Sequence, residues 1–203
     1  MTTFALEGLP FAGKSSCGFA LIERDPSMLL LADYHDLLPT ASELAQVPDT
    51  PSEQGRRIEL YLKLDRSRWR QAQVAQAQQI VFDRCHVSLL AYAIALRPWI
   101  GTPASEQSTR QIESALADTT HPLRSPSRIL YLEMSARTAS GRCRDHATSM
   151  QEQMRTVEFA QRLIDAYETV LSTVESEVVR CSSEQPLQAL QREVEAALQP
   201  YLP

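Results

Sequence analysis

The chain has 203 residues, 43% of them hydrophobic, and a formal net charge of -5 at pH 7. That length suits one domain with a sizeable core, and the acidic balance argues against a protein that holds nucleic acid by neutralising phosphates over a basic face. No uninterrupted apolar run approaches the roughly 18 residues of a membrane span, and the opening MTTFALEG lacks the basic flank and long apolar stretch of a signal peptide, so a cytoplasmic chain without a membrane partner is expected.

In chain order, TTFALEG is rich in strand-compatible residues and stops at Gly8, and GLPFAGKSS then leads into SCGFALIER, which has helical length and apolar spacing. MLLLA at 28–32 predicts a second strand buried on both faces, ending at the polar cluster Asp33, Tyr34, His35 and Asp36. Residues 39–53 hold three prolines among small polar residues and predict a connection with at most a short helix. Residues 54–79 are Pro-free and mostly polar, and predict one or two helices in which Ile58, Tyr61, Leu62, Trp69 and Val74 share a face. IVFD at 80–83 is a third short strand, and VSLLAYAIAL is a helix ended by Arg97 and Pro98.

Residues 101–127 are rich in Ser, Thr and Pro and predict irregular surface around a weak helix at 109–117. RILYLEM at 128–134 resumes the strand pattern, 151–170 is strongly helical, SEVVRC at 176–181 is a last strand, and PLQALQREVEAAL at 186–198 is a closing amphipathic helix. Strands alternating with helices imply an α/β fold with a parallel sheet covered on both faces. Cys17, Cys85, Cys143 and Cys181 show neither CxxC nor His-containing metal spacing, and read as reduced thiols.

The segment from Gly8 to Ser15 matches G-x-x-x-x-G-K-[ST] between a strand and a helix. Glycines let backbone N–H groups curl around phosphate oxygens, and the helix N-terminus adds positive dipole. Lys14, one of only two lysines, would bridge the outer phosphates, and Ser15 would ligate magnesium. The expected nucleotide-binding set is Gly8, Pro10, Phe11, Ala12, Gly13, Lys14, Ser15 and Ser16, with ATP and Mg2+ as the ligands.

Glu59 to Arg66 (ELYLKLDR), then IVFDR at 80–84, then SLLAY at 88–92 follow in an order and spacing that resemble the thymidylate kinase family. That family carries L-F-x-A-D-R, a strand ending in D-R-Y, and S-x-x-A-Y-Q after a P-loop at the same distance from the N-terminus. LYLE at 130–133, Arg142, Glu158, Phe159 and Tyr167 look like its fourth strand, mobile lid and return helix. The resemblance implies a single three-layer P-loop kinase domain with a central parallel sheet, a lid around 135–150 and, from family habit, a homodimer. It also implies a kinase that phosphorylates a nucleoside monophosphate. Arg66 and Arg84 would face the acceptor, with Arg84 at its phosphate, and Ser88 and Tyr92 would lie near base or sugar. Arg142 and Arg144 would fold over the phosphates in transit.

The residues depart from the family pattern at Cys85, at Ala93, at Pro10 and Phe11, and at Asp33 to Asp36, which replace an R-E-P-G turn. Asp33, at the C-terminal edge of the second strand, either caps the following turn or acts as a base toward an acceptor hydroxyl. Arg66 either meets the acceptor or pairs with Asp65 or a neighbouring helix. His35 and His86 read as pocket or surface residues. Three functions therefore stand open: a monophosphate kinase, a kinase for the hydroxyl of a nucleoside or other small metabolite, and a non-catalytic nucleotide-binding module.

Overall fold

The computed structural model describes residues 1–37, 48, 50–75, 77–118, 123–146 and 152–201. The first strand, β1 (Thr2–Gly8), is buried from Thr3 onward because it lies in the middle of a five-stranded parallel sheet. The helix α1 (Lys14–Arg24) follows it, and β2 (Met28–Leu31) leads to a 3-10 turn at Tyr34–Leu37. The next three elements are the 25-residue α2 (Pro51–Ala75), β3 (Gln79–Asp83) and α3 (His86–Ala95). They are succeeded by α4 (Arg97–Ile100), α5 (Thr102–Ala117), β4 (Arg128–Glu133) and α6 (Ala136–His146). A 3-10 turn at Glu152–Arg155 precedes α7 (Val157–Leu171), β5 (Glu177–Ser182) and α8 (Leu187–Leu198).

The strand order is β2-β3-β1-β4-β5. Alternation along β1 sets the two covered faces. Leu6 points to Gly18 of α1, where an added Cβ would lie 3.5 Å from Leu6 and 2.8 Å from Leu30, and Phe4 meets Tyr201 after α8 with ring centroids 6.5 Å apart. Glu7 points the other way, to Ser88 of α3 and Tyr167 of α7. The register pairs Leu6 with Asp83 and Gly8 with Leu132, so the C-terminal ends of β1, β3 and β4 open on one edge. In parallel α/β sheets, ligands bind in the crevice at that edge.

Several local expectations change. MLLLA forms an edge strand whose Leu29 and Leu30 are only half-buried, because β3 is its sole neighbour. The region expected to hold one or two helices holds one, as allowed, but Val74 leaves the shared face and is 83% exposed because, at 3.6 residues per turn, it sits nearly opposite Ile58. The supposedly irregular stretch after Gly101 is the 16-residue α5. Gly101, at φ 82, turns the chain into it, Pro103 fits its first turn, and Ala104, Ser108, Ile112 and Ala115 make a narrow buried stripe. Ser105 donates to the Ala93 carbonyl of α3 at 2.8 Å, a contact that small polar residues permit. The helix expected from 151 begins at Val157, where the Thr156 hydroxyl accepts from Phe159 N at 3.1 Å.

Most of the connection expected at 39–53 lies outside the described residues, as does the end of the lid region at 147–150. All four cysteines are buried free thiols. No helix among the described residues is long and apolar enough to cross a membrane.

Candidate active site

Gly8 ends β1 at φ 137, and a Cβ there would stand 2.7 Å from the Leu132 carbonyl oxygen of β4, so strand packing and backbone conformation both require glycine. Gly13, at φ 93, turns the chain into α1. Pro10, Phe11 and Ala12 complete the loop, with Phe11 at φ 60 and 38% exposed at its tip. Its shape is fixed from outside: Ser183 Oγ, in the turn after β5, donates to Ala12 O at 2.7 Å, and Arg142 Nη1 donates to Phe11 O at 3.0 Å. The first N–H groups of α1 have no intrahelical acceptor, which makes this helix entrance suited to an anion.

Lys14 is buried and donates to Leu9 O at 2.8 Å and Gly8 O at 3.3 Å. Burial, helped by the Arg84 charge, lowers its pKa to about 8. The ammonium is thus held inside the loop by the loop's own carbonyls. Ser15 Oγ donates to Asp83 Oδ2 at 2.5 Å, and Asp83 Oδ1 is buried with no hydrogen-bond partner among the described residues. A hydroxyl beside a carboxylate with an unsatisfied oxygen fits magnesium, which commonly takes one or two protein oxygens and completes its shell with water and substrate phosphates. Ser16 is exposed, and its carbonyl accepts from Gln191 at 3.1 Å.

Beside the loop, a cavity of about 100 Å3 is lined by Arg57, Ile58 and Tyr61 of α2, by Leu89 and Tyr92 of α3, and by Asp33 and Arg84. Arg84 directly follows β3 in the left-handed region, at φ 66. Its Nε donates to Asp33 Oδ2 at 2.9 Å. Its Nη1 lies 3.1 Å from both Gly8 O and Ser88 Oγ and 3.2 Å from the Tyr167 hydroxyl. Glu7 underlies this network, accepting from Cys85 N at 2.7 Å, from the Tyr167 hydroxyl at 3.1 Å and from Ser88. Burial alone would raise the Asp33 pKa, but Arg84, His35 and Lys14 together with the hydrogen bond outweigh it and leave the carboxyl below its ordinary value.

Of the residues singled out in the sequence, Lys14, Ser15, Asp33, Arg84, Ser88 and Tyr92 converge here, Ser88 as a buried support of Arg84. Asp33 also accepts weakly from His35 N at 3.5 Å, so a turn-capping contact coexists with the ion pair. Arg66 does not join them: it lies 3.6 Å from Asp118 in a shallow groove between α2 and α5. Residues two positions apart on a helix diverge by a little more than half a turn, so Arg68, unlike Arg66, faces the site and donates to Arg84 O at 2.8 Å, while Arg57, earlier on α2, lines the cavity. Arg142 braces the loop against the turn after β5, donating to Ser183 O at 2.8 Å as well as to Phe11 O, while Arg144 is exposed and donates to Ser140 at 3.2 Å.

Glu7, Arg57 and Arg68 contribute without having been named from the sequence, and Asp83 and Tyr167, quoted there only within motifs, had been given no role. The available signal was a carboxylate in the apolar run TTFALEG, since a buried acid needs hydrogen-bonding partners. His35 lines the cavity, whereas His86 is buried in the core, and burial lowers its pKa to about 4. The unfolded chain binds that proton near pH 6.5 and the folded one does not until about pH 4, so stability is lost as the pH falls through this window. The loss attributable to His86 amounts to about 3 kcal/mol. Urea unfolding at neutral pH and near pH 4 is expected to show a smaller acid loss in His86→Gln than in wild type; equal losses would assign the acid sensitivity elsewhere.

No protein-family model matches the chain, and no curated protein matches it. Solved structures do. Deoxyadenosine kinase from M. mycoides with the products dCMP and a flexible dCDP bound matches with a TM-score of 0.73 at 14% identity, over 98% of this chain and 100% of that chain. The same kinase with bound dATP gives 0.70 at 14% identity, and with bound dCTP 0.71 at 13%, each over the same shares of the two chains. At such identities the likeness establishes the fold, that of a P-loop kinase, along nearly the whole chain.

Proposed function

We propose that this chain is an ATP-dependent kinase that transfers the γ-phosphoryl group to the hydroxyl of a nucleoside-like acceptor bound in the cavity at Asp33. The observation that carries the proposal is the Asp33–Arg84 pair in the wall of the cavity, where an ionised carboxylate is held 2.9 Å from the guanidinium. A neutral hydroxyl gains from a base that takes its proton as it attacks. An acceptor phosphate, already anionic, gains nothing from that base and is repelled by it. The expected use of Arg84 as a phosphate clamp is less well supported, because its guanidinium is engaged with Asp33, Gly8, Ser88 and Tyr167. The neighbours' name, deoxyadenosine kinase, also favours a nucleoside acceptor over the monophosphate implied by the thymidylate kinase resemblance.

Bound ATP with magnesium would supply the phosphoryl group and its leaving group. Lys14 and the entrance of α1 would hold the outer phosphates, and Ser15 with Asp83 would hold the metal. Asp33 would take the proton of the acceptor hydroxyl, while Arg84 keeps that carboxylate ionised and aimed. The aromatic and aliphatic walls suit a flat base, and Gln54, which also lines the cavity and donates to Ser108 at 3.2 Å, offers an amide to its edge. We read the whole chain as one kinase domain, with α6 as the arm of its lid.

The test is ADP release and product mass on incubating the protein with Mg-ATP and a panel of nucleosides and their monophosphates. Phosphorylation of at least one nucleoside, with monophosphates inert, is expected. Turnover of monophosphates alone would restore the thymidylate kinase-like reaction, and ATP binding without turnover of any acceptor would favour the non-catalytic module.

A further inference from the structure

Arg84 is a non-glycine residue in the left-handed region, and it is joined to an acid from a segment about fifty positions away in the chain. Such a conformation is disfavoured for an L-residue that carries a Cβ and persists only where its surroundings over-determine it. One buried guanidinium touches both segments that must meet. Arg68 Nη2 lies 2.8 Å from Arg84 O, 2.9 Å from Asp83 O and 3.3 Å from Leu31 O, which spans the C-terminal ends of β3 and β2. Its Cζ stands 4.8 Å from the centroid of the Tyr34 ring, the residue directly after Asp33, and 5.2 Å from that of Phe82. Its Nη1 donates at 3.0 Å to Asp65 Oδ1, one turn earlier on α2 and fully buried.

We infer that Arg68, oriented by Asp65, is a positioning residue that docks the end of β2 against the end of β3 and thereby sets the Asp33–Arg84 pair. The planar fork suits this task because its donors diverge in one plane, so one group can face Asp65 while the other faces the strand-end carbonyls. The stacking of Tyr34 and Phe82 on the guanidinium fixes that plane. An arginine that served only to neutralise Asp65 would not need contacts with the backbone on either side of the pair. The inference concerns the carboxylate on which the proposed phosphotransfer rests, but its structural content stands apart from that reaction.

The decisive reading is the Arg84 Nε–H resonance in 15N-edited NMR, which in wild type is expected to be protected from exchange by the 2.9 Å hydrogen bond to Asp33. Removing one member of a buried ion pair leaves the other uncompensated, whereas replacing both with apolar residues is often tolerated. The Asp65→Leu/Arg68→Met double variant is therefore the first choice. Arg68→Lys, which retains a buried cation but lacks the planar fork, is the second and is read in the same way. In a folded variant we expect the Arg84 Nε–H to lose protection and kcat to fall on the order of a hundredfold, as for misplacement of a reacting group. The KM for ATP is expected to stay within about twofold, because the loop makes its contacts independently of Arg68. An Arg84 Nε–H that stays protected in either folded variant overturns the inference. Loss of protection with undiminished kcat would leave the positioning role standing and remove Asp33 from the proposed chemistry.

Discussion

Asp33→Asn is expected to lower kcat toward the nucleoside acceptor by about a hundredfold to ten-thousandfold, the range that general-base assistance supplies. The substitution keeps the size of the side chain and an oxygen able to accept from Arg84 Nε, so the cavity and the orientation of Arg84 persist while the basic oxygen is lost. Steady-state kinetics on the folded variant should show the loss in kcat, with little change in the KM for ATP, since Asp33 lines the cavity proposed for the acceptor. The pH profile supplies a second reading. With the Asp33 pKa held below its ordinary value by Arg84, His35 and Lys14, wild-type kcat should remain flat through weakly acidic pH. It should fall only as the carboxylate gains its proton. Unimpaired turnover in Asp33→Asn would remove the base from the mechanism.

Lys14→Ala is expected to reduce kcat/KM for ATP by about a hundredfold to a thousandfold, the scale set by deleting one preorganised charge-stabilising donor in an enclosed site. The same variant carries a separable signature in stability. The unfolded chain keeps the lysine proton up to pH 10.5, whereas the folded, phosphate-free protein releases it near pH 8. Between those values the unfolded state binds more protons, so wild-type stability contributed by this group rises with pH and is lost as pH falls through about 8. The linked change is about 3 kcal/mol, and the alanine variant should lack it. Chemical unfolding at about pH 8 and about pH 10 would measure the difference. A folded variant that retains full ATP use would refute the proposed kinase mechanism.

Both effects depend on groups that the fold gathers at one edge of the sheet. The loop of Lys14 follows the central strand, and Arg84 follows the strand beside it. Glu7 lies beneath them, bonded to Cys85 N, Ser88 and Tyr167, so that a carboxylate inside the sheet also helps to order the crevice. Part of the site's precision therefore resides in side chains that do not themselves line the cavity.

The sequence by itself determined the alternation of strands and helices, the glycine loop between the first strand and helix, and the polar ends of the second and third strands. These features are local: glycine is favoured where φ is positive, apolar runs of a few residues suit parallel strands, and the spacing of Gly8, Gly13, Lys14 and Ser15 between a strand and a helix is a short-range pattern. Helix α5 was only partly legible, because its buried stripe of Ala104, Ser108, Ile112 and Ala115 owes its place to close packing by small residues rather than to strong hydrophobic periodicity. The tertiary structure alone decided that Arg84 would meet Asp33, that Asp83 would turn to Ser15, and that Arg68 rather than Arg66 would enter the site. In each case the partners come from separate elements, and their meeting depends on strand order and helix rotation. A little more than half a turn of α2 separates a side chain directed at Asp118 from one buried beneath two strand ends, and that rotation is set by the packing of the whole helix face.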